Sequence, residues 1–383
     1  MNHFDYQPRT RIVYGADRID SLGDLAGELG TRRALVVSDP GIIAAGHTGR
    51  GIDALEAAGI ETHLFDGVVE NPSTDQVEQG LMVAQRHDPE LIVGLGGGSA
   101  MDCAKGINFL YSNGGRMQDY QGVGKALKGM VPMIAVPTTA GTGSETQSFA
   151  LISDAKTKVK MACGDKKASF RVALLDPQLT LTQPPGVTAL TGIDALAHAL
   201  ETYVTTRRNP ASLAFSREAW RLLSTNFGQV LDTPDDLDAR SGMQLGACFA
   251  GLAIENSMLG ATHALANPLT AHYGIVHGQA IGVMLPHVIR FNGVQFGSWY
   301  HDLLELAGTT NGYTPPQASG EHLADFIVDL LAKTKLPTRL GECGVDQSTL
   351  PALARDAAQQ WTGRFNPRPV EQPELLSLYE EAF

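Results

Sequence analysis

The sequence predicts an α/β domain built on a mostly parallel sheet, followed by an all-helical domain, and three observations carry that reading. Short, continuously apolar runs alternate with helical stretches over the first half of the chain, the pattern of strands buried on both faces. Beyond Gln183-Pro184-Pro185-Gly186 such runs almost vanish, and Ala/Leu-rich helical patterns fill the chain to Phe383. The double proline stops one element and forbids a helix across it, so the domains are expected at residues 1–183 and 184–383.

In chain order, residues 33–38 (RALVVS) read as a buried strand closed by the turn at Asp39-Pro40-Gly41. Residues 74–86 have helical periodicity. Residues 90–95 (ELIVGL) form the next strand and end in Gly96-Gly97-Gly98. Residues 133–137 (MIAVP) run into a Thr/Gly/Ser-rich segment from Thr138 to Ser144, and residues 172–177 close the series. Residues 161–169 fit either a strand or a helix.

Composition narrows the function classes. A chain of 383 residues, 43% hydrophobic and 18% charged, is long enough for two or three domains, each with its own core. The net charge is −12 and no cluster of Lys and Arg occurs, which argues against nucleic acid as a partner. No apolar run approaches the ~20 residues of a membrane span. The opening MNHFDYQPRT has neither the apolar core of a signal peptide nor an Arg-rich transit pattern, so a cytoplasmic location is expected. Cys103, Cys163, Cys248 and Cys343 lie far apart with no CxxC pair, which argues against a disulfide framework and against a cysteine-built zinc site.

The chemistry-bearing residues fall into two sets. The first is the glycine loop Gly94-Leu95-Gly96-Gly97-Gly98-Ser99, between a strand and a helix, where free backbone amides suit a phosphate. A tight βα turn is the plainer alternative. An ordinary dinucleotide fingerprint also wants an acid about 20 residues downstream. Here the suitable acid, Asp39, ends a strand 55 residues before Gly94, so only a different strand order brings the two together. Asp102 and Lys105 share one helical face beside the loop, either as part of the site or as a solvated ion pair. Thr138, Thr139 and Thr142 belong to a second loop at a neighbouring strand end, the carboxyl edge where open α/β sheets bind ligands. Gly96, Asp102 and Thr142 are therefore cofactor-binding candidates.

The second set lies in the helical half. Asp194 and His198 are spaced i,i+4 on one face amid Ala and Leu, where a carboxylate and an imidazole are costly to bury unless paired or metal-bound. His263, His272 and His277 follow. One carboxylate with three imidazoles suits Zn²⁺ or Fe²⁺ and leaves a position open for a substrate oxygen. A single buried histidine is more often a hydrogen-bonded core residue, so specificity comes only from the set.

Taken together, the segments resemble one family. GGGSAMDCAK (residues 96–105), PTTAGTGSET (137–146), GIDALAHALE (192–201) and HALANPLTAHYGIVHG (263–278) are similar to the iron-containing, group III alcohol dehydrogenases. Asn366-Pro367-Arg368-Pro369 and residues 285–292 fit as well, so the resemblance spans nearly the whole chain in matching order. It implies a dehydroquinate synthase-like architecture: a Rossmann-like NAD-binding domain and a helical domain that binds the metal and carries the catalytic groups. It implies Asp194, His198, His263 and His277 as metal ligands. It places Gly97, Gly98, Ser99, Thr138, Thr139 and Leu179 against NAD, and Asp39 at the adenosine ribose. His277 is an expected catalytic imidazole; His272, by sequence proximity to Asn267 five residues before it, is a second candidate, with a plain structural histidine at a helix end as the alternative. The implied reaction is hydride transfer between nicotinamide and a small primary alcohol or aldehyde, in a homodimer or larger homo-oligomer.

Two positions depart from the family pattern. Asn267 stands four residues after His263, where many members carry a further, non-ligand histidine, and Ile254 replaces a pocket-lining aromatic. Two rivals share the fold: a dehydroquinate synthase-like lyase using NAD and metal transiently, and a catalytically silent NAD-binding protein. The lyase needs Lys and Arg beside the metal to hold a phosphorylated acid, and residues 192–201 and 263–278 contain none.

Overall fold

The structure, a computed structural model, describes residues 3–157, 159–309 and 315–383. Two compact units divide the chain, one of residues Gln7–Gln183 and one containing Pro184–Phe383.

In the first unit, the elements run β1 (Arg11–Tyr14), α1 (Leu22–Glu28), β2 (Arg33–Val37), α2 (Pro40–Ala44), α3 (His47–Ala57), β3 (Glu61–Phe65) and α4 (Thr74–His87). They continue as β4 (Leu91–Gly96), α5 (Gly98–Asn113), β5 (Gly122–Val123), β6 (Met133–Pro137), β7 (Phe149–Ser153), β8 (Lys160–Gly164) and β9 (Val172–Leu175). Six strands form one sheet in the order β1-β9-β6-β4-β2-β3, and every pairing in it is parallel. Strand alternation feeds two cores. Leu35, Val37, Ile92 and Ala135 pack with Val77 and Ala84 of α4 and with Met101, Ala104 and Ile107 of α5. Ala34, Val36, Val93, Leu95, Ile134 and Val136 pack with Leu22 and Leu25 of α1 and Leu55 of α3 on the other face. A smaller sheet, β5-β8-β7, accounts for the ambiguous residues 161–169: β8 pairs antiparallel with β7, and a 3-10 turn at Lys166–Ala168 follows it.

The second unit holds α6 (Pro185–Val204), α7 (Pro210–Asp232), α8 (Leu237–Glu255), α9 (Ala261–Tyr273), α10 (His277–Leu306), α11 (Ser319–Thr334), α12 (Leu350–Ala358) and α13 (Gln372–Ala382). Their starts carry familiar signals. Pro185 occupies the first turn of α6, where its missing N–H has no partner to lose, and Asn209 caps α7 by accepting from Ala211 N and Ser212 N. From Gly192 to Val204 every residue of α6 is buried, because α7, α8 and α10 all pack against it. Gly278 lets α10 approach that helix: a Cβ there would stand 2.2 Å from Leu190 O. α10 is bent at Phe296, whose φ of −117° and ψ of 27° are not helical. No helix among the described residues is long and apolar enough to cross a membrane.

Candidate functional site

In the α/β unit the parallel register solves the order problem of the dinucleotide motif. β2 lies directly beside β4, with Val37 opposite Gly94, and β4 beside β6, with Gly96 opposite Pro137. Asp39, the glycine loop and Thr138 therefore emerge side by side at the carboxyl edge of the sheet. Asp39 is the N-cap of α2, and its Oδ1 accepts from Gly41 N at 2.9 Å and Ile42 N at 3.1 Å. Its Oδ2 lies 3.3 Å from where a Cβ on Gly96 would sit. Thr138 N donates to Gly96 O at 2.9 Å, joining the two loops.

α5 opens on Gly97 and Gly98 with no side-chain cap, the kind of helix start that suits a ligand anion. Gly98 is required sterically: a Cβ would meet Thr142 Cγ2 at 2.6 Å. Gly97 lies against Thr139, and Ser99 Oγ accepts from Asn71 N at 3.3 Å. Asp102 and Lys105 are not a solvated pair. Lys105 is 0% exposed, and its Nζ donates to Ser144 O, Ser144 Oγ and Phe149 O at 2.7–2.8 Å. Ser144 Oγ in turn donates to Asp102 Oδ1 at 2.6 Å, so that oxygen is committed inside the unit and tethers the second loop to α5. The Leu179 side chain is buried in the core on the α1/α3 face.

In the helical unit, Asp194 and His198 come from α6, His263 from the first turn of α9, and His277 from the first residue of α10. Their polar atoms converge. His198 Nε2, His263 Nε2 and His277 Nε2 lie 3.3, 3.4 and 3.8 Å from Asp194 Oδ1. Ligands about 2.0–2.2 Å from a tetrahedral ion stand roughly 3.4 Å apart, so these separations fit a divalent ion held among them. The tightest set is Asp194, His263 and His277, whose donor atoms all lie within 4.8 Å of one another. Asp194 Oδ1 and His263 Nε2 are buried without a hydrogen-bond partner. Orphaned donor atoms of this kind are costly in a core unless an ion completes them.

The buried carboxylates and imidazoles also shift one another. Burial would raise the Asp194 carboxyl, but His198, His263 and His277 outweigh it and hold it well below the usual carboxylate range. Burial would lower His263, yet Glu201 and Asp194 hold it up at about 9. His277 is the least buried of the four, with 26% of its side chain exposed.

His272 does not join them. Its Nε2 pairs with Asp356 Oδ2 at 2.6 Å on the surface, and nine residues of helix put it about 13 Å from His263 along α9. Asn267 Nδ2 donates to Gln360 Oε1 at 3.0 Å. Ile254 is buried at the end of α8. Sequence reading assigned no role to Glu201, although its spacing of seven from Asp194 and three from His198 already set it on their face of α6.

Comparison with known proteins identifies the family. The family described as "Iron-containing alcohol dehydrogenase" matches residues 8–177, and "Fe-containing alcohol dehydrogenase family, C-terminal" matches residues 188–383. A 1,3-propanediol dehydrogenase of Klebsiella pneumoniae is 34% identical over 383 residues, covering 99% of each chain. An NAD-dependent methanol dehydrogenase of Bacillus methanolicus is 32% identical, covering 100% of each. The crystal structure of a 1,3-propanediol oxidoreductase superposes with a TM-score of 0.96 at 33% identity, covering 100% of both chains. Matched end to end in sequence and in fold, the chain belongs to the iron-containing alcohol dehydrogenase family.

Proposed function

We propose that this chain interconverts small primary alcohols and aldehydes with NAD⁺ and NADH, using a divalent metal held by Asp194, His198, His263 and His277. The observation that carries the reading is the convergence of three imidazole Nε2 atoms on the buried, unpartnered Asp194 Oδ1. Fe²⁺ or Zn²⁺ bound there supplies a Lewis acid that polarises the substrate oxygen.

The chain's own residues do the rest. The uncapped first turn of α5 and the loop at Thr138, Thr139 and Thr142 receive the cofactor phosphates. Asp39 accepts from the adenosine ribose hydroxyls and repels a 2′-phosphate. Buried Ala and Leu around Asp194 and His198 keep water from the ligand atoms and strengthen their field. Alcohol oxidation also releases a proton. Asn267 does not titrate in the working range, and His272 is paired at the surface, so the proton passes to solvent through water or a cofactor hydroxyl. The His277 side, the most open of the ligand set, is where that exchange takes place. Family resemblance supports a cytoplasmic homodimer or larger homo-oligomer.

The test is a panel of primary alcohols and aldehydes assayed with NAD(H) and NADP(H), after the metal-stripped protein is reloaded with Fe²⁺ or Zn²⁺ separately. Many turnovers of NADH per active site with simple alcohols are expected, lost on stripping and restored by metal. NAD consumption limited to one equivalent, or turnover indifferent to metal, sinks the proposal in favour of the lyase or the silent binder.

A further inference from the structure

α6 carries a third buried polar side chain on the face that presents Asp194 and His198. Glu201 is 2% exposed, and among the described residues its ion-pair partner is the His263 imidazole. Its two oxygens do different things. Oε2 meets His263 Nδ1 at 2.5 Å, and Oε1 accepts from Thr262 N at 2.7 Å. The start of α9 takes its acceptors from elsewhere, because its N-cap is Gly260, which has no side chain to offer. Asn366 Oδ1 accepts from the preceding amide, Ala261 N, at 3.3 Å, and Asn366 is locked by a double hydrogen bond with Asn292. Gly260 is itself hemmed in, since a Cβ there would stand 3.1 Å from both Glu201 Oε1 and Asn366 Oδ1.

We infer that Glu201 is a positioning residue of the metal site, fixing the tautomer and the placement of His263. An ionised carboxylate only accepts hydrogen bonds, so at 2.5 Å the proton between the two groups belongs to His263 Nδ1. When an ion is bound, Nδ1 keeps its proton and Nε2, which faces Asp194 Oδ1 at 3.4 Å, presents its lone pair to the ion. The contact to Thr262 N adds a second restraint: one side chain of α6 fixes both the ring and the helical turn that bears it. Charge supports the same role. Asp194 and Glu201 are two buried carboxylates, and together they balance one divalent ion surrounded by neutral imidazoles. The inference rests on the metal site proposed above.

Glu201→Gln separates this role from mere capping. The amide oxygen can still accept from Thr262 N, but the amide nitrogen then faces His263 Nδ1 and drives the ring proton to Nε2, against the metal. Zn²⁺ affinity, measured by competition with a chromophoric chelator, is expected to fall tenfold to a hundredfold. The melting temperature of the metal-free protein should stay near wild type. His263→Ala is run beside it. Wild-type Zn²⁺ affinity in Glu201→Gln, with weakened binding in His263→Ala, overturns the positioning role and leaves the metal site standing. Full binding in His263→Ala removes the metal site itself. Should Glu201→Gln fail to fold, imidazole nitrogen shifts of the zinc-loaded wild type decide. Protonated Nδ1 on His263 supports the inference, and unprotonated Nδ1 overturns it.

Discussion

Asp39 is a helix cap, and the proposed function gives it a cofactor contact as well. Its Oδ1 is occupied by the first amides of α2, while Oδ2 points toward Gly96 and the glycine loop. A 2′-phosphate bound beside it brings like charges within a few ångströms, at a cost of roughly 1 to 4 kcal/mol depending on screening. Wild type should therefore prefer NAD over NADP by at least about fivefold in kcat/KM, and by about tenfold once the cost reaches about 1.4 kcal/mol. Asp39→Gly should narrow that gap while costing some stability through the lost cap, about 0.5–2 kcal/mol if the side chain were cut to Ala and less for Gly. Equal kcat/KM with both cofactors in wild type removes Asp39 from the discriminating role. At this scale the sequence was informative where spacing is local. Asp194 and His198 share a helical face by arithmetic alone, and Glu201 continues it. Asn267 paired with Gln360, and His272 paired with Asp356, were beyond reach, because partners 93 and 84 residues away follow from packing and not from any local period.

The element that organises the candidate metal ligands is α6, and the glycine at the start of α10 decides how close the two helices come. His277 and Gly278 are the first two residues of α10, so the ligand and the contact with Leu190 are adjacent. In Gly278→Ala the new Cβ would meet Leu190 O at 2.2 Å, and backbone has to move. Overpacking of this kind costs typically ~1–3 kcal/mol. The expected result is a lower melting temperature and weaker Zn²⁺ binding, since the displaced turn carries His277. Gly186→Ala, in the first turn of α6 with open space around it, serves as the control and should be neutral or slightly stabilising. If Gly278→Ala melts and binds Zn²⁺ as wild type does, the close approach plays no part in placing His277. Strands teach a related lesson. The four runs read as strands from continuous apolarity are β2, β4, β6 and β9, the four interior strands of the large sheet. The two unread ones, β1 and β3, are its edges, where one side faces solvent and polar residues interrupt the run, as in Glu61-Thr62-His63-Leu64-Phe65. β5 has two residues, and β7 and β8 mix buried with exposed or half-buried positions instead of forming a fully buried run.

At the scale of the molecule, each half brings its own core and its own ligand-binding residues. Gln7–Gln183 contains the glycine loop and Asp39, and the unit of Pro184–Phe383 contains all four metal-ligand candidates. The boundary between the units is visible in composition: apolar strands stop before Gln183, and the double proline follows. It also has a thermodynamic consequence. A ligand that binds only the folded form of a unit stabilises it by RT ln(1 + [L]/Kd), about 2.7 kcal/mol at a hundredfold excess over Kd. For units of this size each kcal/mol moves a melting transition by roughly 2–4 °C. Zn²⁺ and NAD⁺ should therefore leave different footprints in amide hydrogen exchange. Zn²⁺ added to stripped protein should slow exchange across residues 192–201 and 261–278, where α6, α9 and α10 supply the ligands. NAD⁺ should slow it across residues 38–44, 96–102 and 138–144, the sheet-edge loops. Zinc protection centred on the glycine loop with none on α6 would reject the ligand assignment. NAD⁺ protection absent from the glycine loop and Asp39 would reject the cofactor assignment, and the two results are independent because the peptides do not overlap.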